Sequence, residues 1–241
     1  MKRFLLVIAF VVTTAYFASA QSKLYFGLSG MGISTWITNQ NNFGMTEMDY
    51  AVRLGFGGNV NIGFDFNSNI GIKTEIGWAS LGQKYKDNID DTNYRRTINI
   101  NYLQIPLLFK YKAGGDIAKF YVAVGPQIDL LLSANQRYEK NDQAWNHTIE
   151  NPFTHEDIDL AKEDIKEYYQ SMDIMGRLDM GVEITLTQNL FLDAGLTFAY
   201  GFTDINADNY QIKDSSGNYS ASHNIYGGFQ VGINYSIPLG K

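Results

Sequence analysis

The feature that most constrains the fold is a two-residue period in hydropathy that recurs along most of the chain. Residues 225–237, for example, place mainly aliphatic and aromatic side chains at odd positions and mainly Gly, Gln, Asn and Ser at even positions. Such alternation is typical of β-strands with one apolar face. Seven further segments show it: 24–35, 52–65, 70–79, 102–111, 120–132, 174–186 and 190–202. The sequence therefore predicts an all-β protein of eight strands.

The connections between these segments alternate in length, and this alternation predicts the topology. Short turns are expected at 65–69, 112–119 and 187–189, and long polar connections at 37–48, 84–96, 133–171 and 203–223. Antiparallel strands joined in this way place every long loop at one end of the sheet. Short periplasmic turns and long extracellular loops are typical of outer-membrane barrels. We therefore predict an eight-stranded antiparallel up-and-down transmembrane β-barrel.

The N-terminus has the layout of a secretory signal peptide. Lys2 and Arg3 precede an apolar run that extends to about Phe17, and the small residues at 18–20 provide a cleavage site. We predict a signal peptide at 1–20 and a barrel domain at 21–241 in an exported protein. After Gln21 no apolar run approaches the roughly 20 residues that a membrane helix needs, so strands would have to make any crossing.

The composition of the two strand faces indicates which of them meets lipid. The polar face is rich in small residues and carries charges of both signs, which suits the narrow interior of an eight-stranded barrel. Since buried charges must be paired, we expect Arg53, Lys73 and Arg177 to neutralise the carboxylates in a structural network. The predicted lumen charge network comprises Arg53, Lys73, Glu75, Asp129, Arg177, Asp179, Glu183 and Asp193.

The apolar face is predicted to contact the outer-membrane lipid over about 9–11 residues per strand. Aromatic residues near the strand ends are expected to form interfacial girdles: Tyr25, Trp36, Trp78, Tyr102, Tyr111, Tyr200 and Tyr235. Two alternatives remain open at this stage. A soluble barrel of lipocalin type would turn the apolar face inward, and a secreted β-sandwich would bury it between two sheets.

Composition and motif content argue against several functional classes. The chain has no cysteine, which excludes disulfides, thiolate metal sites and a cysteine nucleophile. A formal net charge of −6 argues against nucleic acid as a partner. Since no nucleophile motif, zinc-protease motif or phosphate-binding loop is found, we predict no enzyme activity, no catalytic residue and no cofactor.

The third long connection contains a candidate helix. Thr154 could cap it, and apolar residues recur at helical spacing: Ile158, Ala161, Ile165 and Tyr168. The same connection holds possible cation ligands: His147, His155, Glu156, Asp159 and Glu163. Their spacing matches no known binding loop, so we predict an amphipathic helix and no metal site.

Two neighbouring strands carry a family resemblance. "YLQIPLLFKY" followed by "KFYVAVGPQIDLLL" resembles the PorT-like outer-membrane β-barrel family of Bacteroidota. The motif positions are Tyr102, Leu103, Ile105, Pro106, Lys110, Tyr111, Gly125 and Pro126. The resemblance implies an outer-membrane location, insertion by the barrel-assembly machinery and a shared irregularity at the two prolines. One member of that family is associated with protein secretion and gliding.

Three functional hypotheses follow. The first is a small non-enzymatic outer-membrane barrel with a plugged polar lumen, whose loops, especially 133–171, contact an extracellular, envelope or secretion-machinery partner. The second is a narrow porin-like or secretion-associated channel. The third is a soluble periplasmic barrel that binds a ligand in its interior.

Overall fold

The computed structural model describes residues 22–39, 48–144, 148–150, 157–159, 164–213 and 217–239, so the predicted signal peptide lies outside the described residues. These residues contain two one-turn 3-10 helices, at Lys166–Tyr168 and Asp208–Tyr210. They also contain the following strands: β1 (Lys23–Ile37), β2 (Asp49–Ala51), β3 (Arg53–Asp65), β4 (Ile70–Ile89), β5 (Thr92–Gly114), β6 (Ala118–Lys140), β7 (Gln143–Ala144), β8 (Thr148–Glu150), β9 (Asp157–Asp159), β10 (Met172–Thr185), β11 (Leu190–Gly201) and β12 (Asn224–Pro238). No helix within the described ranges has the length and hydropathy needed to cross a membrane.

Eight of these strands form a closed antiparallel ring. The order is β1, β3, β4, β5, β6, β10, β11 and β12, and β12 pairs again with β1. A closed ring satisfies the backbone of every strand without an exposed edge, as a membrane-spanning sheet requires. The short strands β2 and β7 extend the sheet beside β4 and β6, and β8 pairs with β9 in a separate hairpin. The predicted eight-stranded up-and-down barrel is confirmed.

Three short turns lie at one end of the barrel, as predicted, but the polar stretch at 84–96 is not a loop. β4 and β5 continue through it and are joined by Asp90 and Asp91 alone, both with positive φ (48° and 59°). Two such residues are typical of a type I′ hairpin turn. β6 likewise continues to Lys140, inside the connection predicted at 133–171. These strands rise beyond the apolar belt, where their outward side chains are polar, and the loss of alternation explains the wrong prediction.

The apolar side chains of the barrel strands point outward, as predicted for a lipid-facing wall. Leu54 is 78% exposed and Phe120 is 71% exposed, although both belong to regular strands. Of the predicted girdle residues, Trp36, Trp78, Tyr111, Tyr200 and Tyr235 are exposed. The prediction is wrong for Tyr25 and Tyr102, which are buried in the lumen because they have the opposite parity.

The two motif prolines lie on opposite faces of the wall. Pro106 points into the lumen, and the pairing of β4 with β5 is interrupted beside it. The backbone carbonyl of Pro106 accepts a hydrogen bond from Thr74 Oγ1 (2.8 Å). Pro126 points outward on β6 and pairs with Gly176 on β10. The register is the same on both sides of the interruption, so Pro106 marks a gap in hydrogen bonding and not a bulge.

A β-bulge does occur nearby, between Asn101 and Tyr102 of β5 and the facing part of β6. Asn101 pairs with Ser133, whereas Tyr102 pairs with Leu131, so β6 contains one extra residue at this level. Because of the extra residue, the inward-facing positions of β6 change from odd to even numbers. Below it odd-numbered residues point inward, and above it Ala134, Gln136 and Tyr138 do so.

Candidate functional site

The lumen contains a fully buried ion-pair cluster built around Arg177. The Arg177 guanidinium donates two hydrogen bonds to Asp179 (2.8 and 3.0 Å) and one to Glu75 (2.9 Å). The ammonium of Lys73 lies 2.6 Å from the other oxygen of Glu75. Gln230 accepts a further hydrogen bond from Arg177 (2.7 Å). Two cations and two carboxylates thus neutralise each other in the barrel interior, as buried charges require.

A second cluster lies nearer the periplasmic end. Lys110 Nζ is 2.5 Å from Glu183, and Lys112 Nζ is 2.6 Å from Asp65 and 3.2 Å from Glu183. Lys110 also donates to the hydroxyl of Tyr25 (2.7 Å) and lies 4.5 Å from the centre of that ring. This cluster again balances two cations against two carboxylates.

The predicted network residues are therefore divided among several environments. Lys73, Glu75, Arg177 and Asp179 form the first cluster, and Glu183 joins the second. The other two carboxylates have amide partners, because Asp129 accepts from Gln104 and Gln127 (2.9 and 2.7 Å) and Asp193 accepts from Asn234 (2.5 Å).

The structure does not bring Arg53 to any carboxylate of the described residues, contrary to the expectation that it neutralises one. Its guanidinium instead donates to Thr35, Ser80 and Asn99, over distances of 2.8 to 3.2 Å. Arg53 begins β3 at the extracellular end, whereas Asp65 ends the same strand at the periplasmic end. Odd or even position in a strand predicts whether a side chain points into the lumen, but not its level along the barrel axis. That level decides which charges can form ion pairs.

Sequence reasoning missed Asp65, Lys110 and Lys112 as members of the charge network, with Lys110 identified only as a motif position. On β5 the apolar residues such as Leu107 and Phe109 are odd-numbered, so Lys110 and Lys112 share the inward parity. This parity is the signal in the sequence that could have found both lysines.

Between the ion pairs and the extracellular end, the lumen is filled by hydrogen-bonded amides and tyrosines. Tyr226 donates to Gln127 (3.0 Å), and Asn224 donates to Tyr102 (3.1 Å) and to Asp173 (2.9 Å). All five side chains are fully buried. An eight-stranded barrel is only wide enough for its side chains to fill it, and this layer does so.

The extracellular mouth has an apolar core that the loops help to build. Ile165 and Ile205 come from two different long connections and are 0% and 1% exposed. The backbone N–H of Ile165 donates to Ala134 of β6 (3.0 Å), and that of Ile205 donates to Ser222 (2.9 Å). These isoleucines pack with inward residues of the barrel wall: Met31, Ile33, Ile37, Ala79, Leu81, Tyr85, Ile98, Ile100, Tyr102, Leu131, Ala134, Met175, Ala199 and Tyr226.

The amphipathic helix predicted for this connection is wrong where the structure describes it. Ile158 lies in β9 and pairs with Ile149 of β8, and the helical geometry is confined to one turn at Lys166–Tyr168. Ile165 is buried in the mouth and does not lie on a surface helix. Thr154 and Ala161 lie outside the described residues, as do four of the possible cation ligands: His147, His155, Glu156 and Glu163. The described residues contain no cluster of three or more potential metal ligands.

Arg96 is a buried cation in this mouth. It is 6% exposed, and its guanidinium lies over the rings of Tyr138 and Tyr85, at 5.4 and 5.9 Å from their centres. Its Nη2 donates to Gln136 (3.1 Å). Burial alone would lower the pKa of Arg96, but the hydroxyls of Tyr138, Tyr169 and Tyr85 outweigh this effect and raise that pKa above its ordinary value. Arg96 is therefore charged at any physiological pH.

Comparison with known proteins gives one family match and several similar folds. The family model described as "Outer membrane protein beta-barrel domain" matches residues 17–207. Among solved structures, Neisserial surface protein A is 12% identical, with 88% of this chain and 96% of that chain covered and a TM-score of 0.42. OprG from Pseudomonas aeruginosa is 9% identical, with 91% and 97% covered and a TM-score of 0.40.

A major outer membrane protein from Thermus thermophilus is also similar, at 14% identity, with 89% of this chain and 99% of that chain covered and a TM-score of 0.45. At such identities a likeness extends to the fold alone. No curated protein matches the chain.

Proposed function

Because the chain belongs to the outer membrane protein β-barrel domain family, we propose that it is a non-conducting, non-enzymatic barrel of the outer membrane that presents its extracellular end to a partner. The observation that carries this proposal is that buried side chains of the described residues occupy the lumen in both halves of the barrel. Ion pairs occupy the periplasmic half, and loop isoleucines close the extracellular half.

The energy of the ion pairs supports a plugged lumen. A permeating ion would have to displace Arg177 from Glu75 and Asp179, and all three side chains are almost completely buried. Removing one partner of a buried pair costs about 3–5 kcal/mol, because the remaining charge is left without compensation. Such a barrier at several successive levels makes the second hypothesis, a narrow channel, the less favoured one.

The extracellular end supports a role in contact with a partner. The outward side chains of β5 change from apolar to polar above Leu103, yet the strand continues as far as Thr92. This raised wall displays several outward-facing basic residues: Lys84, Lys86, Arg95 and Arg137. A rigid wall with loops folded onto it is a better contact surface than free loops, because less conformational entropy is lost on binding.

The finer assignment rests on the two proline-containing strands. We assign the chain to the PorT-like branch of Bacteroidota because of Tyr102, Pro106 and Pro126 and the residues between them. Insertion by the barrel-assembly machinery and contact with a secretion machine belong to the same proposal. The third hypothesis, a soluble barrel, is not retained, because the apolar faces point outward and the family is one of the outer membrane.

Conductance of the purified barrel in planar bilayers tests the plug. We expect no channel steps from the native chain, with a known porin as positive control. A variant that lacks both Arg177 and Glu75 provides the informative comparison, since it empties part of the lumen. Ion flow through the native chain of the size expected for an open pore would overturn the proposal in favour of a channel.

Photo-crosslinking in intact cells tests the contact surface. A photoreactive residue at Lys86 lies on the raised wall, and one at Phe120 lies on the lipid belt as the matched control. A discrete protein adduct at position 86 but not at position 120 is the expected result. Absence of adducts around the whole extracellular rim would contradict a partner-binding role.

A further inference from the structure

Arg96 is a buried cation of the lumen that lacks both a carboxylate partner and a full set of hydrogen bonds among the described residues. Lys73, Lys110, Lys112 and Arg177 all form ion pairs. No Asp or Glu among the described residues pairs with Arg96, whose one hydrogen bond runs to the amide oxygen of Gln136. Among the described side chains, the Nε of Arg96 is the one buried nitrogen without a hydrogen-bond partner. A buried cationic donor without an acceptor is costly and calls for an explanation.

Arg53 shows how the same barrel satisfies a buried arginine when no ligand is needed. It is 7% exposed, similar to Arg96, and also lacks a carboxylate among the described residues. Its guanidinium makes five hydrogen bonds, to Thr35, Ser80 and Asn99, which use Nε and both terminal nitrogens. Within the described ranges Arg96 has no comparable set of hydrogen-bond acceptors. Its Nε–H group is therefore left without an acceptor.

The unused donor capacity lies beside a small cavity at the barrel mouth. The cavity has a volume of about 20 Å³ and is lined by Ile37, Asn39, Tyr85, Arg96, Ile98, Tyr168, Tyr169, Asn206 and Ser222. A site of roughly 10–15 Å³, measured in this way, holds one water molecule. The space therefore suits one small ion and is too small for a phosphate or a sulfate.

Asp204 lies on the loop whose Asn206 and Ser222 line the cavity, and it has hydrogen-bond partners of its own. Asp204 accepts hydrogen bonds from the hydroxyl of Tyr219 (2.7 Å), from Gln211 (3.2 Å) and from the backbone N–H of Ser222 (3.1 Å). It holds the loop that carries Asn206 and Ser222 against the mouth, and it does not pair with Arg96. The positive charge of Arg96 is thus not neutralised by the described residues.

Tyr169 is shared by the cavity and by an open groove at the surface. It lines the cavity and also an open groove of about 460 Å³ between β6 and the 164–171 segment. The other residues of the groove are Leu131, Asp164, Lys166, Glu167 and Ser171. Tyr169 therefore lies between the cavity and this open groove.

We propose that Arg96 binds a small monovalent anion in this cavity, either chloride or a carboxylate as small as formate. The anion accepts the free Nε–H and balances the buried guanidinium, which lies over the rings of Tyr85 and Tyr138. A single positive charge favours a monovalent ligand. The inference goes beyond the proposed contact role, since it requires neither a partner nor a closed lumen.

Chloride NMR of the refolded mature chain in detergent micelles tests the site. Chloride bound to a protein in exchange with the bulk broadens the ³⁵Cl line, and the excess width reports the bound fraction. Arg96→Gln should lower the affinity by about tenfold or more, since a hydrogen bond to a charged group is lost together with the charge itself. Arg95→Gln is the matched control, because it removes the same charge from the neighbouring outward-facing position.

The two ligand chemistries give different results. Broadening that Arg96→Gln abolishes and Arg95→Gln preserves assigns chloride. No chloride broadening, together with ¹³C-formate broadening that follows the same pattern, assigns a carboxylate. Absence of both effects in the native chain, or equal loss in the two variants, overturns the proposal.

A measurement on the native chain covers the case in which Arg96→Gln does not fold. Crystals of the native barrel soaked in bromide should show an anomalous peak within hydrogen-bond distance of Arg96 Nε. Bromide found only on outward-facing residues, with none in the cavity, would contradict the site.

Discussion

The two halves of the lumen bury inward-facing residues in different ways. The periplasmic half balances charges, with Arg177, Lys110 and Lys112 paired with carboxylates. The extracellular half packs aliphatic and tyrosine side chains, and its arginines at positions 53 and 96 have no carboxylate partner among the described residues. One strand, β5, passes through both regions with the same inward parity.

The difference follows from what surrounds each half. Within the lipid belt the wall is one residue thick, and only other lumen side chains can satisfy an inward polar group. Above the belt, loops can fold over the wall and bring apolar residues such as Ile165 and Ile205 into a shared core. The lower half thus has a polar interior and an apolar, lipid-facing exterior. The upper half instead has an apolar interior, as a small water-soluble domain does.

The largest expected effect is the loss of charge balance in the lower half. Arg177→Met leaves Glu75 and Asp179 buried without their cation, and we expect the free energy of unfolding to fall by about 3–5 kcal/mol. Urea unfolding in lipid vesicles, followed by the gel shift between folded and heated barrel, measures the change.

Arg137→Met is the matched control for that prediction. Arg137 faces outward on β6 and pairs with Glu139 at 3.1 Å, with 60% of its side chain exposed. Surface ion pairs contribute about 0–1 kcal/mol, so this variant should unfold nearly as the native chain does. Equal effects of the two substitutions would contradict the view that buried charge balance stabilises the lower half.

The next largest effect concerns the apolar mouth. Ile165→Ala removes a fully buried side chain and should weaken the mouth by about 2–5 kcal/mol. Because Ile165 belongs to a loop, we expect local opening: limited proteolysis of the 164–171 segment should accelerate strongly while unfolding of the barrel changes little. Ile89→Ala, at the exposed tip of β4, is the control and should leave the cleavage rate unchanged.

Alkaline pH should open the mouth before it affects the barrel. Burial raises the pKa of Tyr169 to about 12, an effect that the neighbouring charge of Arg96 only partly offsets. Because the folded pKa is above the unfolded one, the contribution of Tyr169 is complete below about pH 10 and is lost as the pH rises towards 12. Proteolysis of the 164–171 segment should therefore accelerate in this window.

Phenylalanine variants separate this titration from a general alkaline effect. Tyr169→Phe should weaken the pH dependence of cleavage, whereas Tyr235→Phe, whose ring faces lipid, should leave it in place. A pH profile that is the same in both variants would show that another group opens the mouth.

The smallest effect is expected at the hairpin tip of β4 and β5. Asp91 has a positive φ, and a β-branched residue there costs about 1–2 kcal/mol. Asp91→Val should therefore speed hydrogen exchange of the amides near the tip, while Asp91→Gly should not. An effect that reaches the lipid belt would mean that the two halves are not independent.

The outward and inward faces of the barrel could be predicted from the sequence, because parity within a strand is a local property. The pairing of charges could not, since it depends on height as well as on face, and parity alone groups Arg53 with carboxylates that lie at the other end of the barrel. The polar run at 84–96 reads as a loop because side chains above the membrane are polar on the outside. The unpartnered Nε of Arg96 cannot be read from the sequence for a related reason, since the surroundings of this side chain come from β4, β6 and two loops.

The bulge on β6 has a consequence for how this chain can change in length. Below the bulge the odd-numbered residues of β6 point inward, and above it the even-numbered residues do so. The change occurs at the single extra residue between Leu131 and Ser133. Deleting Leu132 or Ser133 would remove the bulge and restore regular alternation, so that Ala134, Gln136 and Tyr138 would still point inward. Deleting Asn135 instead would keep the bulge and turn Gln136 and Tyr138 towards the exterior and Arg137 towards the core. An alignment gap at the bulge would therefore leave the mouth intact, whereas a gap a few residues above it would signal an inverted mouth.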